Sequence, residues 1–316
     1  MNTITNRQAI CDVLLTAAEK DRDIVVTCSD SRGSASLAPF ADRFPKQFVE
    51  LGIAEQNLVT VSAGLAAMGK KVFAASPASF LSTRSYEQAK VDVAYSHTNV
   101  TLIGISGGVS YGALGMTHHS CQDIAAMAAL PGMRVYLPSD RFQTAKLMEV
   151  LLLDEDPAYV RVSRSATEDV YDEHMPFTLN KANRIAPSER KQYDAAIITC
   201  GELVPYAVKA AQTLEREGIA VQVIDMYCVK PLDEEAVLAA AANSRILLTA
   251  EEHAPQGGLG AAVCQLICEK HPMKVVQRAL PDGHIIPGNN REIFAYYGLD
   301  DTGLSEEIRR QLQDLG

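Results

Sequence analysis

Residues 48–58 read FVELGIAEQNL, and the fold prediction begins from this stretch. The apolar residues at 48–51 predict a short strand, and the pattern after Gly52 predicts a helix over about 56–68. A strand that leads directly into a helix is the repeating unit of α/β proteins. The stretch therefore predicts such a unit, with one carboxylate, Glu55, at the junction of strand and helix.

The same alternation continues on both sides of this stretch. Helical spacing of apolar residues predicts a first helix over 6–20, with Asn6 as its N-cap. Strands alternating with helices form a mostly parallel sheet with helices on both faces. Further strands are predicted at 24–28, 72–75, 100–105, 135–138 and 158–162.

A second, smaller α/β series follows a polar break. Residues 165–191 carry no sustained period and predict a linker with short extended pieces. Beyond the linker, predicted strands at 195–200, 221–224 and 245–249 alternate with predicted helices at 205–217, 233–242 and 259–270. We therefore predict two doubly wound α/β domains, over residues 1–180 and 181–316.

Composition excludes several classes of protein. Among 316 residues, 47% are hydrophobic and 22% charged, which is typical of a folded chain rather than a disordered one. A net charge of -10, with no Lys/Arg run, argues against general nucleic-acid binding. Seven scattered cysteines with no CxxC pair favour a reduced, cytoplasmic protein over a disulfide framework or a zinc ribbon. Neither a signal peptide nor a membrane-spanning run is predicted.

Polar clusters follow the predicted strands, where ligands bind in open α/β sheets. Within them, Glu55 is either a buried carboxylate that needs a partner or a charge that favours the helix dipole. Phe80 and Tyr86, on either side of Arg84, are either a wall for a flat ligand or core aromatics. The clusters lie at 29–32, which includes Asp30, and at 52–57, 80–86, 106–123 and 163–164.

Histidines and one arginine supply further candidates. The adjacent His118 and His119 follow a glycine-rich loop, which suits hydrogen bonds to hydroxyls or proton transfer better than zinc ligation without a third ligand. Arg164 follows a strand and is either an anion clamp or a solvated charge. His253 precedes a glycine-rich helix start. It is interpreted either as a residue of the site or as a domain contact.

Taken together, five stretches resemble the C-terminal half of a transketolase, in the same order and across essentially the whole chain. The resemblance implies a pyrimidine-binding domain for thiamine diphosphate followed by a transketolase C-terminal domain. The stretches are FVELGIAEQNL (48–58), SFLSTRSYEQ (79–88), GMTHHSCQDIAAMAALPGMRVYLPSD (115–140), YVRVSR (159–164) and TAEEHAPQGGLGAAV (249–263).

The resemblance also implies roles toward the cofactor. Glu55 matches the glutamate that hydrogen-bonds N1′ of the aminopyrimidine and so promotes deprotonation of the thiazolium C2. Phe80 matches the residue that stacks on the pyrimidine. Tyr86 and Arg84 complete that wall.

Toward the sugar, the resemblance implies that His118 is catalytic and faces the substrate hydroxyls, and that Arg164 binds the anionic end of a sugar phosphate. Asp30 is assigned to the substrate site as well. Two departures stand out: Leu114 occupies a place that is commonly acidic, and the loop 106–111 lacks the usual histidine. These departures leave a modified anionic sugar open as the substrate.

The family's Gly-Asp-Gly motif, which holds Mg²⁺ and the diphosphate, is missing from this sequence. We therefore expect a separate partner chain to carry that half and most of the Mg²⁺ binding, in an α2β2 assembly. This chain by itself is expected to be inactive.

The predicted activity is transfer of a two-carbon ketol unit from a ketose to an aldose, and the resemblance implies that both sugars are anionic. One alternative keeps the cofactor and changes the reaction, as in 1-deoxyxylulose-5-phosphate synthases or the β subunits of 2-oxo acid dehydrogenases. The other is a non-catalytic scaffold subunit. No specific role is predicted for the C-terminal domain beyond forming an interface.

Overall fold

A computed structural model describes residues 2–315, which form two β-sheets with helices packed against them. The strands are β1 (Ile24–Cys28), β2 (Phe48–Glu50), β3 (Lys71–Pro77), β4 (Val100–Ile105), β5 (Arg134–Tyr136), β6 (Ala158–Val162), β7 (Asn183–Ile185), β8 (Tyr193–Thr199), β9 (Val221–Asp225), β10 (Cys228–Lys230), β11 (Ser244–Ala250) and β12 (Val275–Arg278). The first sheet has the order β10-β5-β6-β4-β3-β1-β2 and the second β12-β11-β8-β9-β7. Each sheet is parallel apart from one antiparallel edge strand, β10 or β7.

Most helices lie between successive strands, while the first helix precedes β1 and the last two follow β12. The helices are α1 (Asn6–Ala18), α2 (Ala38–Arg43), α3 (Glu55–Ala67), α4 (Ala78–Thr83), α5 (Tyr86–Gln88), α6 (Asp123–Ala128), α7 (Arg141–Leu151), α8 (Val204–Arg216), α9 (Glu234–Ala242), α10 (Leu259–Lys270), α11 (Asn290–Tyr297) and α12 (Asp301–Gln313). A π-helical segment, Ala89–Tyr95, continues α5, and short 3₁₀ helices occupy Gly112–Thr117 and Gly201–Leu203.

The central strands β1, β4 and β6 are buried along their whole length. Their continuous apolar runs explain this burial, because a parallel strand covered on both faces has no solvent side. The predicted fold class, two doubly wound α/β domains, is confirmed.

The register of the first sheet brings five loops to one edge. Cys28 at the end of β1 lies beside both Glu50 and Ala75, and Ile105 at the end of β4 lies beside Val162. Since these strands run in parallel, the segments that follow β1, β2, β3, β4 and β6 leave the sheet on the same side. All five polar clusters named from the sequence lie on these segments.

The N-terminus of α1 and the C-terminal helices differ from the sequence predictions. Thr5, not Asn6, is the N-cap of α1: its hydroxyl accepts from Gln8 N at 3.1 Å. Asn6 is buried instead and donates to Pro138 O at 3.3 Å. The C-terminal helices α11 and α12 were not predicted, whereas β7 is one of the short extended pieces expected in the linker.

The two sheets share a continuous apolar core. Ile224, Val237 and Leu259 from the second half cluster with the buried residues of the first sheet. In addition, strand β10 from the second half of the chain pairs with β5 and so belongs to the first sheet. Within residues 2–315, no helix combines the length and the apolar character needed to cross a membrane.

Candidate active site

Glu55 is the first residue of α3 and is only 2% exposed. Its Oε2 accepts a hydrogen bond from Arg84 Nη1 at 2.6 Å, and the Arg84 side chain is 45% exposed. Both interpretations of Glu55 therefore apply: it is a buried carboxylate with a partner, and it lies at the favourable end of a helix dipole. The partner approaches Glu55 from the solvent side.

The backbone before Glu55 is shaped by a tight turn. Gly52 has a φ of +68°, a left-handed conformation that glycine adopts without strain. Glu50 Oε1 accepts from the backbone N–H groups of Gly52 (3.3 Å) and Asp30 (2.6 Å). This carboxylate thus ties the loops after β1 and β2 together, and Asp30 lies exposed on that surface.

Aromatic and cationic groups continue from Arg84. The Arg84 Cζ lies 4.6 Å from the centre of the half-buried Phe80 ring. The His118 ring centre is 5.3 Å from that of Phe80 and 5.3 Å from that of Tyr111. These contacts define a row, which we call the contact row, made of Glu55, Arg84, Phe80, His118, Tyr111 and Arg164, with Arg164 Cζ 5.2 Å from the Tyr111 ring centre.

The two adjacent histidines have different environments. His118 is half-buried, and its Nδ1 lies 2.9 Å from Thr117 Oγ1, which orients the ring. His119 is buried, with Nε2 3.1 Å from Gly112 O, and burial lowers its pKa. His118 is therefore the histidine available to a ligand. Leu114 and Met116, on the preceding turn, are large apolar side chains left exposed beside it.

Tyr86 lies at the start of α5, half-buried against the core of the first domain, so its interpretation as a core aromatic fits its surroundings. Sequence reasoning missed two residues at the site, Tyr111 and Arg7. Tyr111 directly precedes the glycine-rich turn that leads to His118, which was an available signal. Arg7 donates to the backbone carbonyls of Ser34 and Arg164, and its place on α1 gave no signal.

His253 makes the domain contact that was one of its two interpretations. Its Nε2 accepts from Ala125 N at 3.3 Å, and its Nδ1 lies 2.7 Å from Ala254 O. Ala125 belongs to α6 of the first domain. The side chain is buried and plays no part in the contact row.

The contact row suits a flat heteroaromatic group. A buried carboxylate can hydrogen-bond a ring nitrogen, and the half-buried Phe80 ring offers a face for stacking. Nearby on α4 and α5, Ser79 Oγ, Ser82 Oγ and Gln88 Oε1 are buried without a hydrogen-bond partner among residues 2–315. These features fit the pyrimidine half of thiamine diphosphate.

Other places on the molecule match this chemistry less well. A groove of about 620 Å³ between α1 and α7 is mainly apolar and contains no residue of the contact row. Across residues 2–315, no three His, Cys, Asp or Glu side chains are grouped so as to hold a metal ion.

Comparison with known families agrees with the fold. Residues 2–169 match the pyrimidine binding domain of transketolase, and residues 185–304 match the transketolase C-terminal domain. The chain belongs to the transketolase family, as the resemblance in its sequence predicts.

Three relatives indicate which members of the family the chain is similar to. The chain is 47% identical over 304 residues to an apulose-4-phosphate transketolase subunit of Phocaeicola vulgatus, covering 96% of each chain. It is 36% identical over 267 residues to a 6-deoxy-6-sulfo-D-fructose transketolase subunit of Clostridium sp., covering 84% of this chain and 82% of the other. A solved structure described as a split gene transketolase, inactive beta4 tetramer, superposes with a TM-score of 0.87 at 32% identity, covering 98% of this chain and 99% of that one.

Proposed function

We propose that this chain is the pyrimidine-binding subunit of a two-chain transketolase, which transfers a two-carbon ketol unit from a ketose to an aldose. The observation that carries the proposal is Glu55, a buried carboxylate at the head of a row of stacking and cationic side chains. The family match and the two transketolase subunits among the relatives support the same reaction.

When bound, thiamine diphosphate supplies the nucleophilic carbon that attacks a ketose carbonyl. Toward it, Glu55 holds a hydrogen bond to a pyrimidine nitrogen and fixes the protonation state of that ring. Arg84 is displaced into solvent, or turns with its guanidinium toward the ligand, because its side chain is already 45% exposed. Phe80 stacks on the pyrimidine, and Tyr86 backs the wall through the core of the domain.

On the substrate side, His118 hydrogen-bonds sugar hydroxyls and exchanges protons with them. Arg164, exposed at the far end of the contact row, binds the anionic end of the sugar. Asp30 lies on the same edge and accepts from a hydroxyl. The names of two relatives contain a phosphorylated and a sulfonated sugar, which supports an anionic substrate here.

The partner subunit carries the diphosphate-binding half and most of the Mg²⁺ contacts, and two such pairs form an α2β2 enzyme. Large apolar side chains left exposed at both ends of α3 and on the π-helical segment support burial against another subunit: Ile53, Met68 and Tyr95 are 74%, 82% and 86% exposed. They lie on or next to α3 and the π-helical segment, which are joined by Thr60 Oγ1 and Asp92 Oδ2 at 2.6 Å. Seven free cysteines support a reducing, cytoplasmic location.

The test is Glu55→Gln in the enzyme reconstituted with its partner, thiamine diphosphate and Mg²⁺. Loss of a carboxyl that controls a proton is expected to lower kcat by about 10²–10⁴-fold, with the melting temperature preserved. Glu87→Gln is the matched control, because Glu87 is an exposed carboxylate on α5. Near-normal ketol transfer by the Glu55→Gln enzyme would exclude the role given to Glu55.

A panel of ketose donors and aldose acceptors then tests the reaction itself. Transfer that requires the partner and the cofactor, and that favours sugars with a phosphate or sulfonate, is the expected result. No cofactor-dependent transfer with any member of a broad panel would favour the scaffold subunit instead.

A further inference from the structure

The loop 106–111 carries Tyr111 into the contact row, yet side chains of the C-terminal domain hold it. Val109 N donates to Glu252 Oε1 at 2.8 Å. Ser110 Oγ donates to Glu202 Oε1 at 3.1 Å. Two consecutive loop residues are therefore fixed by two carboxylates from the other domain, directly before Tyr111.

In both carboxylates, the second oxygen also accepts a hydrogen bond. The second oxygen of Glu252 accepts from Arg161 Nη2 at 2.8 Å, and Arg161 Nη1 lies 3.3 Å from Asp123 Oδ1. The second oxygen of Glu202 accepts from Asn290 Nδ2 at 2.7 Å. Each carboxylate thus bridges the loop to a fixed group, and a bridged carboxylate positions its partner better than a free one.

The loop 106–111 also packs so closely against these groups that positions 107 and 108 have no room for a side chain larger than that of glycine. A Cβ on Gly107 would lie 2.2 Å from Arg161 Nε, and a Cβ on Gly108 would lie 2.0 Å from Glu252 Cδ. Gly108 has a φ of +58°, and the neighbouring Ser106 has a φ of +55°. A serine rarely adopts that left-handed conformation, so the surroundings must enforce it.

We propose that Glu252 and Glu202 are positioning residues for the sugar site: through the loop 106–111 they fix Tyr111 between His118 and Arg164. The C-terminal domain then sets the geometry of the anion end of the site without touching the substrate. This proposal rests on the proposed function, because it assumes that His118 and Arg164 bind the sugar.

Other contacts between the domains provide a comparison. Lys230 Nζ donates to the backbone carbonyls of Ala128, at 2.7 Å, and Leu130, at 2.5 Å. This contact joins the same two halves of the chain and does not involve the loop 106–111. Removing it is expected to weaken the interface alone, which makes Lys230→Met the matched control.

The variants are Ser110→Ala, which removes the donor to Glu202 together with a long contact to Asn290 Nδ2 at 3.5 Å, and Glu252→Ala with its conservative counterpart Glu252→Gln. In the reconstituted enzyme, Ser110→Ala is expected to raise the KM for the sugar about threefold to tenfold, with the Kd for thiamine diphosphate unchanged. Glu252→Ala is expected to raise that KM further. Glu252→Gln is expected to raise it less than Glu252→Ala does, because glutamine keeps an acceptor for Val109 N. Lys230→Met lowers the melting temperature and leaves both constants unchanged.

Hydrogen exchange of the loop 106–111 provides a readout that does not depend on activity. Faster exchange in Ser110→Ala and Glu252→Ala than in Lys230→Met is expected. An unchanged KM in Ser110→Ala, or equal effects of Ser110→Ala and Lys230→Met on KM and exchange, would overturn the proposal. A wild-type enzyme that transfers no ketol unit would instead refute the proposed function, while the exchange data would still decide whether the carboxylates hold the loop.

Discussion

Two arginine–carboxylate groups in this molecule have similar chemistry and very different surroundings. Arg84 binds Glu55 at 2.6 Å with its side chain 45% exposed. Arg161 lies between Asp123 and Glu252, at 3.3 Å and 2.8 Å, and its side chain is 4% exposed. The first group opens onto the site edge, whereas the second connects the two domains.

The difference in exposure determines what each group can do. An exposed partner is held by little net free energy, so a ligand can displace it. A buried arginine between two buried carboxylates cannot leave without stranding their charge, and removing one member of such a group is strongly destabilising. The open pair is therefore suited to ligand exchange, and the closed group to fixing geometry.

The largest expected effect is that of Arg161→Met. The substitution leaves Asp123 and Glu252 buried without their cation, and the free energy of unfolding is expected to fall by about 3–5 kcal/mol. Denaturant titration followed by circular dichroism measures the loss. A decrease below about 1 kcal/mol would remove the distinction between the two groups.

A pH prediction extends the comparison to Asp225, a buried carboxylate without an arginine. It accepts from Tyr171 OH and Gln143 Nε2, both at 2.8 Å, and burial raises its pKa to about 7. Because the folded-state pKa lies above the unfolded one, this contribution to stability is complete below about pH 4 and is lost as the pH rises through 7.

Asp225→Asn removes that titration. The difference in unfolding free energy between wild type and variant is therefore expected to change by up to a few kcal/mol from pH 4 to pH 8, in the direction that disfavours wild type at high pH. Parallel melting curves of the two proteins across this range provide the measurement. A difference that does not vary with pH would contradict the prediction.

Gly108→Ala tests how tightly the closed group is packed. The added methyl meets Glu252 Cδ at 2.0 Å, at a φ of +58°, and is expected to lower stability by about 1–3 kcal/mol. Gly33→Ala is the matched control, since no atom lies within 4 Å of its added Cβ, and a change within about 0.5 kcal/mol is expected there. Equal melting temperatures for the two variants would show that the loop can move away from Glu252.

The smallest effect on stability is expected for Arg84→Met. Truncating this half-exposed side chain opens Glu55 to water, and α3 still presents its N-terminus to the carboxylate, so the loss is expected to be about 0–1 kcal/mol. The same denaturant titration serves here. A loss as large as that of Arg161→Met would show that Glu55 depends on its arginine for folding.

Sequence periodicity predicted most strands and the long helices, because buried parallel strands are continuous apolar runs. The small residues around Glu55 and the glycine-rich loop before His118 made both of them candidates, and their roles toward a ligand stay predictions. Sequence reasoning did not find the group around Arg161. Its members, Asp123, Arg161 and Glu252, lie far apart in the chain, and each looks like an ordinary charge until the fold brings them together.

Local errors have similar causes. Asn6 has the side chain of a good N-cap, but Thr5 holds that place and Asn6 is used for a contact with Pro138. Strand β10 is too short for its pattern to be recognised, and its partner β5 lies in the other half of the chain. Both features depend on tertiary contacts that no local window contains.

Strand β10 has a consequence for how the protein is made. The ribosome completes β5 and β6 well before residues 228–230 emerge, so the outer edge of β5 remains bare main chain during that interval. An unpaired strand edge is a template for pairing with other chains. A fragment that ends at residue 180 would retain this edge permanently, and self-association during expression is the expected outcome.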